Sequence, residues 1–310
     1  MAASSSVARA FAAAAPASAS EPAGERRARV TLLANLKGGV GKTTTAVNLA
    51  CLLGRGIVDP ESKSELLPPQ RVLLIDFERL KTASEWLGVR ARGPLDSCAA
   101  LFEPLGDGTG AEPTEEDRER VLSLCRPALH EPIDVVPADT RGVTFTDEAR
   151  GESEFSFADN LAVLRGEYDH ILIDLPGQAT SRMFRSAFVA ADGVLMPVVP
   201  DSGTLTSMGP VTVAIEDARR GANRALQVDG YLISRAGSRG DADAQLVHEE
   251  LRATSRYHVF EAMIRTLKPI QRSAFFQRSV FGIDVGAKQA QQDFRDFALE
   301  WLERIAPEAS

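Results

Sequence analysis

"VTLLANLKGGVGKTTTAVNLACLL", residues 30–53, is the stretch on which the fold turns. An apolar run, 30–35, enters a glycine cluster that holds Lys37 and Lys42, then threonines, then apolar residues at helical spacing. A strand that passes through a glycine-rich turn into a helix is the setting a phosphate-binding loop requires. Gly38, Gly39 and Gly41, with Val40 among them, let the backbone curl so that successive N–H groups and the helix N-terminus face an anion. In that setting Lys42 reaches the β- and γ-phosphates of a nucleotide. The Thr43 hydroxyl is placed to ligate a bridging Mg2+, and Thr44 adds a further hydroxyl.

Outward from the loop, strand-length apolar runs recur at 71–77, 133–138, 170–175, 193–199 and 228–234. They are uninterrupted rather than alternating, which suits strands covered on both faces. Helix signals lie between them: Thr82 with Glu85 and Thr114 with Asp117 stand at capping-box spacing, and Asp241 precedes an apolar-periodic run. The pattern predicts an α/β fold, a doubly wound, mostly parallel sheet with helices on both faces. A single domain over 29–310 is expected, with surface insertions at 54–70 and 103–117, where Gly, Pro and charge collect. The Ala/Ser-rich opening, 1–28, reads as a disordered tail with a faint likeness to a transit or signal peptide. The last helix, 287–305, has Phe294, Phe297, Ala298, Trp301, Leu302 and Ile305 on one side and Asp293, Asp296, Glu300 and Glu303 on the other, so docking on the core is expected rather than membrane binding.

With 310 residues, 44% of them hydrophobic, the chain can bury a sizeable core. Its net charge of −8 argues against general stickiness to nucleic acid without excluding a local basic face. Cys51, Cys98 and Cys125 are scattered and make neither a disulfide framework nor a zinc site, which fits a reducing cytoplasm. No apolar run approaches the roughly 18–20 residues that span a bilayer.

A second constellation supports the loop. "YDHILIDLPG", 168–177, ends an apolar strand on Asp174, from which a carboxylate holds a magnesium-bound water. Gly177 stands three residues on, where its N–H can meet a γ-phosphate. Lys37, Gly38, Gly39, Gly41, Lys42 and Thr43 together resemble the deviant Walker A box, KGGxGK[ST], of the ParA/MinD family of ATPases. The resemblance runs in order from residue 30 to about 305, and it is closest to ParA-type partition ATPases. It implies an ATP-sandwich homodimer in which Lys37 serves the partner's ATP while Lys42 serves its own. It further implies non-specific DNA binding by the dimer, release on hydrolysis stimulated by a ParB-like or other partner protein, and a cytoplasmic, nucleoid-associated protein that segregates a plasmid or chromosome.

The family's D-x-D after the second strand stands here as Asp76-Phe77-Glu78, so the resemblance assigns water positioning to Glu78, with Asp76 near the magnesium. The extra methylene of Glu implies slow hydrolysis without a partner. A purely structural Glu78, paired with Lys81 or capping the next helix, is the competing reading. From Arg252 to Arg278 there are six basic residues and one acid, Glu261. The resemblance makes Arg265, Lys268, Arg272 and Arg278 the DNA surface. The acidic last helix speaks against the MinD-like membrane branch, and the cysteines lack the setting of the iron–sulfur branch. A MinD-like positioning ATPase of another cargo is one alternative, and a metabolic P-loop ATP-dependent enzyme, such as a carboxylate-activating ligase, is the alternative of a different class.

Overall fold

The structure, a computed structural model, describes residues 27–106, 113–148, 155–177, 181–201, 203–237, 240–283 and 285–306. The expected tail at 1–28 and the middle of the second insertion therefore lie largely outside the described residues. In chain order the strands are β1 (Arg29–Leu33), β2 (Ile57–Val58), β3 (Glu65–Leu67), β4 (Val72–Asp76), β5 (Arg126–Pro127), β6 (Asp134–Val136), β7 (His170–Asp174), β8 (Gly193–Val198), β9 (Gln227–Ala236) and β10 (Ile264–Arg265). The helices are α1 (Lys42–Arg55), α2 (Thr82–Trp86), α3 (Glu115–Leu122), α4 (Thr140–Glu148), α5 (Ser156–Arg165), α6 (Arg182–Ala190), α7 (Thr204–Arg220), α8 (Ala242–Thr254), α9 (Lys268–Phe275) and α10 (Lys288–Ile305).

Eight strands form one sheet in the order β10-β9-β8-β1-β7-β4-β6-β5. Every neighbouring pair is parallel except β5 with β6. Successive residues of a strand bury into opposite layers. Leu32, Leu73 and Ile173 join one core with Phe157, Phe184 and Phe188. Leu33, Leu74 and Leu172 join the other with α1 and the Phe294, Phe297 and Trp301 side chains of α10. Two apolar faces explain why these strands read as unbroken runs.

The last helix is docked as expected, with Trp301 Nε1 donating to the buried Asp229 at 2.8 Å. Its acidic side is not wholly solvent-facing, however. Asp293 is buried against Arg265, and Glu300 accepts the backbone N–H groups of Glu261 and Ala262 at 2.8 and 2.9 Å. Insertion 54–70 is an antiparallel hairpin of β2 and β3, its ends fixed by the buried Ile57 and Leu67. The capping box of α3 and the Asp241 cap of α8 form. The Thr82–Glu85 box does not: α2 starts from Lys81 in a left-handed conformation, with no side-chain cap, because Asp76 takes over the fixing of that turn. Cys51 and Cys98 are buried packing residues whose thiols burial pushes up.

Candidate nucleotide site

Parallel strands put their C-terminal ends on one edge, and the register aligns Leu33, Asp174 and Asp76 side by side there. The segments that leave β1, β4 and β7 therefore meet in one cleft of about 790 Å3. It falls beside β1, where the order of strands reverses, the position at which open α/β sheets bind ligands.

Gly39 and Gly41 have φ of 74° and 86°, values that favour glycine, and Gly41 caps α1. Side chains from distant strand ends fasten the loop. Ser234 donates its hydroxyl to Val40 O, and Arg235 Nη1 donates to Gly39 O at 2.8 Å. Asn35 accepts the Lys37 N–H at 2.9 Å and donates to Pro197 O at 2.7 Å. At Gly177 an added Cβ would stand 2.9 Å from Leu36 O and 4.0 Å from Lys42 Nζ, so the turn after β7 lies directly against the loop.

Within this frame Lys42 is buried, and burial lowers its pKa against the opposing pull of Asp174 and Glu78. Thr43 Oγ1 donates to Asp174 Oδ2 at 2.6 Å, whereas Asp174 Oδ1 is buried without a partner. Burial raises the carboxyls of Asp174 and Asp76 well above the usual range, and the neighbouring Asp76 adds to the rise at Asp174. A buried ammonium, a hydroxyl and an orphaned carboxyl oxygen beside a glycine loop that opens a helix are the kind of set that a magnesium–nucleotide complex needs.

Asp76, expected near the magnesium, has both oxygens engaged: Oδ2 accepts from Ser84 N and Oγ at 2.8 and 2.6 Å, and Oδ1 from Glu78 N at 2.9 Å. It shapes the turn that carries Glu78. Glu78 lines the cleft half-buried, and its competing partner Lys81 pairs instead with Glu85 at 3.7 Å. Thr44 and Gly38 also line the cleft. Lys37, between the cleft-lining Leu36 and Gly38, does not itself line the cleft and is bridged to Asp201 in the loop between β8 and α7.

The basic stretch is not one surface. Arg265, expected on DNA, grips the buried Asp293 with Nε at 3.0 Å and Nη2, and Arg252 and Arg256 pair with Glu261 and Glu216. Lys268, Arg272 and Arg278 are exposed and, among the described residues, make no ion pair. Asn35, Asp201, Ser234 and Arg235 are the site residues that the sequence did not disclose. Their one common signal is position at the C-terminal ends of β1, β8 and β9.

Fold and site together define a P-loop nucleotide-binding protein whose loop carries two lysines. The family described as an AAA domain matches residues 28–228, and the chain belongs to the ParA/MinD family of P-loop ATPases. It is 28% identical over 283 residues to the chromosome partitioning protein ParA of Myxococcus xanthus, covering 91% of this chain and 90% of that one. It is 30% identical over 247 residues to the chromosome-partitioning ATPase Soj of Thermus thermophilus, covering 78% and 82%. Among solved structures it resembles apo McdA of Cyanothece, with a TM-score of 0.68 at 17% identity over 88% of this chain and 99% of that one. A cobyrinic acid a,c-diamide synthase of Mycobacterium smegmatis, solved with ADP and magnesium, aligns with a TM-score of 0.64 at 22% identity over 87% and 92%. Likeness at that distance speaks for the fold alone.

Proposed function

We propose that this protein is a ParA-type partition ATPase. ATP with Mg2+ joins two copies, the dimer binds DNA without sequence preference, and hydrolysis stimulated by a partner protein releases it. When bound, the nucleotide supplies the phosphate charge and the cleavable bond, and magnesium supplies the counter-charge. The chain's residues divide the rest. The loop N–H groups and Lys42 would hold the phosphates, Thr43 and Asp174 would hold the metal, Gly177 would offer its N–H beside them, and Glu78 would orient the attacking water. Asp76, through its bond to the Glu78 N–H, fixes the turn from which that carboxylate projects.

The observation that carries the dimer is the division between the two lysines. Lys42 is desolvated within its own cleft, whereas Lys37 is partly exposed outside it and held by a solvent-accessible pair with Asp201, which it would exchange for a phosphate brought from outside. Two large exposed apolar side chains at the cleft support it: Leu80, which lines the cleft, is 73% exposed, and Phe145, on a helix whose Val143 and Asp147 line it, is 70% exposed. Exposed Lys268, Arg272 and Arg278 support the DNA step, since such contacts are electrostatic and easily reversed.

Sedimentation with a non-hydrolysable ATP analogue tests the reading. Lys42→Ala is expected to lose nucleotide binding altogether. Lys37→Ala is expected to keep nucleotide and lose the dimer; an intact Lys37→Ala dimer would overturn the trans role. A small molecule that stimulates turnover when DNA does not would favour the metabolic reading instead.

A further inference from the structure

Helix α9 presents more than charge. Its inward side, Ile270, Ser273 and Ala274, packs on the α10 layer, while Lys268, Arg272 and Phe275 are exposed. Phe275 is 83% exposed and Phe276, at the helix end, 49%. Their rings meet edge to face, with centroids 5.3 Å apart, and the Arg272 guanidinium lies 6.0 Å from the Phe276 centroid.

The mount of this pair is fixed by the fold. Gln277 holds a left-handed φ of 54° and donates to Glu85 O at 3.0 Å, Trp86 Nε1 donates to Arg278 O at 2.8 Å, and Ser279 N donates to the buried Glu131 at 2.7 Å. A left-handed residue at 277 and three hydrogen bonds, one at each of residues 277, 278 and 279, fix the chain that follows the rings. The flanking cations Lys268, Arg272 and Arg278 have no acidic partner among the described residues, in a chain whose net charge is −8. A fixed aromatic pair inside a basic patch fits a polyanion that also carries flat apolar surfaces, which is nucleic acid. A bilayer is the poorer fit. The helix turns its aliphatic side inward and leaves only two rings outside, without the long apolar stripe of a membrane-surface helix.

We propose that Phe275, backed by Phe276, is a base-contacting wedge that gives the DNA-binding surface a grip independent of charge. The proposal rests on the DNA reading above and adds to it a contact to bases, where Lys268, Arg272 and Arg278 contact phosphates. It makes binding favour single strands and easily unstacked duplex, because those expose base faces at least cost.

The test uses the full chain with Mg2+ and a non-hydrolysable ATP analogue, titrated into labelled mixed-sequence duplex and into the corresponding single strand across a range of salt. Phe275→Ala is expected to weaken binding by about tenfold at every salt concentration, with an unchanged slope of log affinity against log salt. Arg272→Ala is expected to lower that slope by about one. Phe275→Trp should keep wild-type affinity, and Phe275→Ala should keep the ATP-dependent dimer. Wild-type affinity in Phe275→Ala overturns the wedge. So does loss of its dimer, which would place the ring at the subunit interface, or Phe275-dependent binding to phosphatidylglycerol vesicles with DNA binding untouched. Failure of the wild-type protein to bind DNA at all is a different result, and it removes the underlying DNA reading.

Discussion

Substituting Asp201 by Asn isolates what the Lys37 contact costs the proposed dimer. Lys37 Nζ donates to Asp201 Oδ2, and the two side chains are 35% and 42% exposed. The hydrogen bond from Lys37 holds the Asp201 carboxyl below the usual carboxylate range, so that carboxyl is ionised at neutral pH. An exposed pair of this kind is worth about 0.2–1 kcal/mol. If Lys37 must leave Asp201 to reach the partner's phosphates, two pairs open per dimer, one from each chain, at a total cost of about 0.4–2 kcal/mol. Removing the charge at Asp201 removes that cost, so the dimer with ATP analogue should tighten by about twofold to thirtyfold at low salt. The gain should shrink as salt rises, because the pair in the free chain is already screened.

Sedimentation velocity over a concentration series, with Mg2+ and the analogue, measures this directly. Nucleotide affinity of the isolated chain serves as the control and should not change, since Asp201 does not line the cleft. An unchanged or weaker dimer would mean that Lys37 stays on Asp201 in the assembled state. The reasoning about an opening pair would then be wrong even if the dimer itself is real.

Two further perturbations address the buried carboxylates and the altered acid. Burial raises the folded-state pKa of Asp174 above its ordinary value of 3.8, so the native chain binds more protons than the unfolded one and stability falls as pH rises from there into the neutral range. Asp174→Asn removes that penalty, each unit of upward displacement being worth about 1.4 kcal/mol; thermal melts without nucleotide should show a more stable protein with a flatter pH profile above pH 4 to 5. The same variant should lose the extra stabilisation that Mg2+ gives to bound nucleotide, and a nucleotide-free melt below wild type would refute the burial argument. Glu78→Asp shortens the carboxylate on a turn that Asp76 holds in place, and basal ATP turnover should rise between about tenfold and a hundredfold if Glu78 positions the water. A turnover equal to or below wild type would take Glu78 out of that role.

The long strands were legible because each is covered by two apolar layers, which leaves runs such as "VLLID" at 72–76 unbroken in the sequence. Strands β2, β3, β5 and β10, of two or three residues, carry no period and could not be read. The phosphate loop was legible because its glycines and lysines fall within six residues, 37–42, and the left-handed backbone at Gly39 and Gly41 favours that residue type. Its fasteners were not. Ser234 and Arg235 lie nearly two hundred residues downstream of the loop backbone they bind, and only the parallel order β9-β8-β1 brings them together. Arg265 shows the converse failure, a charge visible in sequence whose partner, Asp293 on α10, is set by docking alone.

Helix α9 joins the two proposed binding events over a short distance. Leu267, Ile270 and Gln271 line the nucleotide cleft, while Lys268 and Arg272, alternating with them along the same turn or two of helix, face solvent. An eight-residue helix with Pro269 in its first turn has no length over which to bend, so a shift of its cleft side displaces its basic side by a similar amount. The turn that carries Glu78 leads into α2, and α2 is tied to the far end of α9 through Trp86 to Arg278 O and Glu85 O to Gln277. Both ends of the basic helix are thus anchored to segments that touch the nucleotide site. Occupancy of the cleft therefore has a mechanical route to the spacing of Lys268, Arg272 and Arg278, and two such helices in a dimer would move together. That arrangement lets a small change at the phosphates alter a surface that depends on several weak, simultaneous contacts, which is the property a reversible DNA clamp requires.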